Sequence, residues 1–221
     1  MKPLSDLNAI LQDGYSLQYD LPNYGIQDVN ISTHQIGKLV LTSGKLLAWD
    51  LLMVPDDRYF FKKNLKPGRY PVILSVADFH PVGDSRIACA MLRFSEERIV
   101  RWEVAAINNP DPEETEELIS YGVDSGTGSF MDLDAAEILA PEETFDEDEF
   151  WKYCDKVLAE MEKHKLGKYG RAGWAIMRAS DSTEANIVTF SSGWGDGAYA
   201  SFWGYDMSGG LTSLVTDFAL F

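Results

Sequence analysis

The sequence predicts an α+β protein: a mainly antiparallel β-sheet scaffold with a few helices clustered in the middle of the chain. Runs alternating apolar and polar residues at a period of two fill both ends of the chain, and short turns join them. Parallel strands need crossovers of a dozen or more residues, so short turns specify antiparallel pairing. The clearest 3.6-residue periodicity lies between these ends, at residues 144–165.

Each element has a local reason. Leu4 to Gln12 reads as a short helix ended by Asp13-Gly14. "HQIGKLVLTSGKLLAWDLL" reads as a hairpin, two apolar runs joined through Thr42-Ser43-Gly44-Lys45. The Pro67-Gly68 turn opens a strand with Tyr70, Val72, Leu74 and Val76 on one face. "SRIACAMLRF" is apolar on both faces and suits a central strand. Beyond the Ser95-Glu96-Glu97 turn, Val100, Trp102, Val104 and Ala106 alternate in another strand. "NNPDPEETEELISYG" is a surface connection with a short helix at Pro112 to Ile119.

Asp132 caps a helix that runs through Leu139 and stops before Pro141. The next helix starts with Thr144 and Glu147 at capping-box spacing and closes at Gly167. Its Trp151/Cys154/Leu158 face is predicted to pack on the sheet. "RAGWAIMRA", "ANIVTF" and a hairpin from Ala198–Tyr205 through "DMSGG" to Leu211–Phe218 complete the strands. No bland linker divides the chain, so residues 1–221 read as one domain.

Composition narrows the setting. The chain carries 35 acidic against 19 basic residues, a formal charge of −16. Nucleic acid and anionic membranes repel such a surface, and neither is an expected partner. "NPDPEETEEL" and "PEETFDEDEF" place five and six carboxylates in two short segments, a negative patch that would attract a basic protein partner. "MKPLSDLNAILQDGYS" does not read as a signal peptide, and no apolar run is long enough to span a bilayer. Cys89 and Cys154 read as buried free thiols in a reducing cytoplasm.

Several chemistries are excluded by pattern. There is no Walker A loop and no G-x-G-x-x-G after a strand, and His34, His80 and His164 are scattered rather than at zinc spacing. "GDSR" at Gly83 sits in a Pro/Gly turn with no following helix, so it reads as a turn rather than a nucleophile block.

The candidate site residues are carboxylates and their neighbours. Asp50 ends the "LLAWD" strand, and Glu103 lies within "RWEVAA". Asp124, Ser125 and Asp132 belong to "VDSGTGSFMD", and Trp194, Asp196 and Tyr199 to "SSGWGDGAYASFWGYD". Glu103 must face solvent or pair with Arg86 or Arg101, because a buried lone acid costs several kcal/mol. Helix capping explains Asp132 without a ligand, and tight-turn hydrogen bonding explains Asp124 and Asp196. Alternatively the acids converge, with the two glycine loops at one end of the sheet, to hold Mg²⁺ or Ca²⁺ or to do acid–base work. Tyr199, Trp203 and Tyr205 share a strand face, as either core or a platform for a flat ligand.

"GKLVLTSGKLLAWD", "PGRYPVILSVA", "RWEVA", "VDSGTGSFMD" and "GDGAYASFWGYDMSGGLTSLVTDF" together resemble the bacterial family known as domain of unknown function 4241. The resemblance runs from about Gly37 to Phe218. It implies a bacterial protein and places the five acids in the family pattern, without an activity to carry over.

Three function classes remain. The first is a binding or interaction protein, such as an immunity-type or regulatory partner, needing only an acidic surface on a stable scaffold. The second is a hydrolase or metal-assisted enzyme, which needs the acids together in a cleft. The third is a carbohydrate or small-ligand module, which needs Trp194 and its neighbours exposed.

Overall fold

Alternation at a period of two becomes two antiparallel sheets in the computed structural model, which describes residues 1–53, 59–109, 117–139, 147–166 and 171–221. The larger sheet contains β1 (Ser16–Leu21), β2 (Gly25–Leu41), β4 (Gly68–His80), β5 (Asp84–Arg93), β6 (Arg101–Val104), β11 (Gly197–Tyr205) and β12 (Leu211–Asp217). Its order is β1-β2-β4-β5-β12-β11-β6, and β7 (Ser120–Val123) also pairs with β11. The smaller sheet contains β3 (Leu46–Asp50), β8 (Thr127–Asp132), β9 (Trp174–Arg178) and β10 (Asn186–Ser191), in the order β3-β8-β10-β9.

The two sheets bury a shared core. Leu74, Leu92 and Leu214 of the larger sheet belong to the same apolar cluster as Ala48, Phe130 and Val188 of the smaller one. Burying a side chain of this size stabilises by about 1.5–3 kcal/mol. Each sheet also packs apolar side chains on part of its outer face. Leu7 and Ile10 of α1 (Leu7–Ile10) pack with Val29, Phe79 and Phe202 of the larger sheet. The helices α2 (Leu133–Leu139) and α3 (Glu147–Lys163) pack with Leu47, Met131 and Ile187 of the smaller. Asn186 ties one sheet to the other by accepting from Val40 N at 2.7 Å and donating to Lys38 O at 2.9 Å.

Two expectations are corrected, and one element has no counterpart in the sequence reading. The Thr42–Lys45 turn does not close a hairpin: β2 pairs with β1 and β4, whereas β3 pairs with β8 in the other sheet. Asp132 takes the amides of Thr42 and Ser43, and the Gly44 carbonyl accepts from Leu65 N at 2.8 Å, which redirects the chain. The face of α3 is also shifted. Cys154, Val157 and Met161 are buried, but Trp151 and Leu158 are 56% and 45% exposed. Gly173 sets that contact, since a Cβ there would lie 3.1 Å from the Met161 carbonyl oxygen. The β1–β2 hairpin, finally, goes unread in the sequence.

The Thr144 cap, the Gly167 stop and most of the Pro112–Ile119 helix lie outside the described residues. Among the described residues no helix is long and apolar enough to cross a membrane, which says nothing of a β-barrel. Cys89 and Cys154 are buried and unpaired.

Candidate functional site

The acids singled out in the sequence divide between several places. Asp50, at the end of β3, is fully buried. Its carboxylate accepts from Asp124 N and Ser125 N, both at 2.8 Å, from Ser125 Oγ at 2.6 Å and from Leu52 N at 2.9 Å. Such charge-assisted bonds are about twice as strong as neutral ones, and here they pin the 124–126 loop onto β3. Asp132, equally buried, does the same at another turn. It accepts from Thr42 N and Oγ1 at 3.1 and 3.0 Å and from Ser43 N at 3.2 Å, and it caps α2 through Asp134 N at 3.0 Å.

Register keeps these two carboxylates apart. Asp50 lies opposite Gly128 on β8, four residues from Asp132. At about 3.3 Å per residue that is roughly 13 Å, too far to share one ion. Glu103 stands on the edge strand β6, 49% exposed and ion-paired with Arg101. Arg86, its other expected partner, pairs with Asp84 instead.

The two glycine loops do meet. Ser192 N donates to Gly126 O at 3.0 Å, and a Cβ on Gly126 would lie 3.6 Å from Gly195 Cα and 4.0 Å from Asp196 Oδ1. Asp124 and Asp196 are exposed on that rim, with Ser125 half-buried between them. Tyr199 is buried below it and donates to Gly195 O at 2.7 Å; burial pushes its hydroxyl pKa up. Trp203 and Tyr205 are buried as well, so this aromatic row is core. Among the described residues no three His, Cys, Asp or Glu side chains are placed to hold a metal ion.

Trp194 has a different environment. It is 40% exposed and lines a cleft of about 550 Å³. Gly193, at φ +43°, turns it outward; a Cβ there would sit 2.9 Å from both Phe218 O and Phe218 Cβ. The indole leans on Phe79, with ring centroids 5.6 Å apart. The guanidinium carbon of Arg86 lies 4.9 Å from its ring centroid, within cation–π range.

The strand β5 delivers that arginine. Asp84 and Arg86 are two residues apart and so share one face, and Arg86 Nε donates to Asp84 Oδ2 at 2.8 Å. Arg86 Nη1 also reaches Gly193 O at 3.4 Å, which joins the guanidinium to the Trp194 loop. Its side chain is only 12% exposed. Arg171 enters beside it, its backbone N–H bonded to Ser85 O at 2.9 Å. The β1–β2 hairpin lines the cleft as well, supplying Tyr19, Leu21, Pro22 and Tyr24. Tyr19 is seated edge-on against Phe79, 6.2 Å between centroids.

The sequence thus pointed to Trp194 but missed Asp84, Arg86, Arg171 and the two tyrosines. The available signals were the alternation of Leu17, Tyr19 and Leu21, and the Asp-x-Arg spacing inside "GDSR".

The family model described as "Protein of unknown function (DUF4241)" matches residues 39–216. The chain belongs to the DUF4241 family. The DUF4241 region contains Asp84, Arg86, Arg171 and Trp194, whereas the Tyr19–Tyr24 wall precedes it. The cleft therefore combines a basic wall from the DUF4241 region with an aromatic wall from the preceding hairpin. No curated protein and no solved structure matches the chain.

Proposed function

We propose that this DUF4241 protein is a binding protein that takes a small ligand in the cleft between the Trp194 loop and the β1–β2 hairpin. The observation that carries this reading is the half-exposed Trp194 ring, held outward by Gly193 and braced by Arg86. A cleft of about 550 Å³ falls in the size range of small-molecule sites, and its mixture of aromatic walls with a few fixed polar groups is their usual lining.

Binding is favoured over hydrolysis by the lining itself. Asp84 is the one carboxylate among its described residues, and it is committed to Arg86 rather than poised as a general acid or base. The charge of −16 supports a second reading, an interaction or regulatory protein with a basic partner. That reading rests on composition, since most of residues 109–118 and 141–150 falls outside the described chain. Two buried, unpaired thiols and the resemblance to a bacterial family support a bacterial cytoplasmic setting.

The test is protein-observed NMR with a panel of one- and two-ring fragments. The expected perturbations cluster on Tyr19, Tyr24 and the Trp194 indole N–H. Perturbations confined to other surfaces would contradict the proposal.

A further inference from the structure

We infer that the cleft selects a flat ligand carrying an oxyanion, a carboxylate or a phosphate, with its ring against Trp194 and its charge met by Arg86 and Arg171. This rests on the cleft being a ligand site, as proposed above, and adds the chemical class.

The described lining carries two guanidiniums and one carboxylate, inside a protein whose formal charge is −16. Local cationic excess runs against the overall composition. Nor is it cancelled by ion pairing, because Arg171 makes no ion pair among the described residues.

Arg86 also has donors to spare. A guanidinium has five N–H donors in a fixed fork. Arg86 uses its Nε–H on Asp84 and one Nη1–H on Gly193 O, which leaves three N–H groups uncommitted. Its orientation is already fixed by the Trp194 face and the Asp84 edge, so an arriving oxyanion orders little further.

Asp84 is itself unusual. Its Oδ1 is buried with no hydrogen-bond partner, while Oδ2 holds Arg86. A buried unmet acceptor costs about 1–3 kcal/mol. Keeping it there makes sense when its task is to aim the guanidinium.

The apolar half of the ligand follows from the remaining lining. Trp194 is 40% and Tyr24 64% exposed, and aromatic faces favour offset or edge contact with another ring. A ring bearing one oxyanion matches both halves of the cleft at once.

The test is an NMR titration following the Trp194 indole N–H with three probes: phenyl phosphate, benzoate and the neutral benzyl alcohol. The expected result is binding of at least one anion roughly tenfold tighter than the alcohol. The tighter anion then distinguishes phosphate from carboxylate. Arg171→Gln should remove most of that preference and leave the alcohol unchanged. Arg171 is exposed and its structural contact is through the backbone, so an unaltered melting temperature serves as the folding control. Equal affinity for all three probes would overturn the anion inference and leave the cleft as a ligand site. An unchanged anion preference in Arg171→Gln would overturn the role given to Arg171. No movement of the indole with any probe would overturn both the inference and the function it rests on.

Discussion

The Arg86 guanidinium is fixed between the face of Trp194, 4.9 Å from the ring centroid, and the carboxylate of Asp84, 2.8 Å from Nε. Neither contact is local to one loop. The strand β5 brings Arg86 and Asp84, and the turn before β11 brings Trp194, so the cleft exists only when the larger sheet is formed.

Gly193 controls that arrangement. With φ at +43° and Phe218 O 2.9 Å from any added Cβ, Gly193→Ala is expected to destabilise by about 1–3 kcal/mol in urea unfolding and to shift the Trp194 indole resonance. Gly122→Ala, where a Cβ meets open space, is the control and should stay within about 0.5 kcal/mol of the parent. Equal behaviour of the two variants would remove Gly193 from its positioning role.

Asp50 and Asp132 pin different turns from opposite ends of the β3–β8 pair. Asp50→Ala leaves four donors without their acceptor, and Asp132→Ala leaves the Thr42–Ser43 turn and the α2 cap unmet. Each is expected to cost about 2–4 kcal/mol by urea unfolding. At their separation the costs should add to within about 0.5 kcal/mol in the double variant. A coupling well above that would mean the two carboxylates serve a single site.

These carboxylates also indicate how far the sequence could be read. Alternating runs revealed most of the strands, though not β1, β7 or β8, the last of which reads as part of a glycine loop, and "DMSGG" revealed the β11–β12 hairpin, because both signals are local. The Thr42–Lys45 turn misled because a turn marks a change of direction and not which sheet the next strand joins. In α3 both Trp151 and Leu158 fit the apolar period, and only the packing on β9 and β10 selects Val157 and Met161. Asp124, Ser125 and Asp196 stood out through glycine-rich loops that do touch, and Asp50 as the acid that ends an apolar strand. Arg86 meets Trp194 across distant strands, a pairing no spacing rule contains.

Cys154 gives a pH signature. Burial, reinforced by Asp155, pushes its thiol up to about 11. A thiol in the unfolded chain titrates near 8.5, so folding favours the protonated form. Its stabilising contribution is therefore fully present below about pH 8.5 and is lost as pH rises through about 11. The stability difference between wild type and Cys154→Ala should shrink across that window, and native protein should resist thiol reagents at pH 8 until unfolded. Rapid labelling of Cys154 in the native state would contradict this.

Whether a ligand sits in the Trp194–Arg86 cleft can be seen in a crystal structure of the protein soaked with phenyl phosphate. The expected density has the ring against Trp194 and phosphate oxygens at about 2.7–2.9 Å from guanidinium nitrogens of Arg86 or Arg171. An ordered phenyl phosphate bound elsewhere, with the cleft left to solvent, would contradict it.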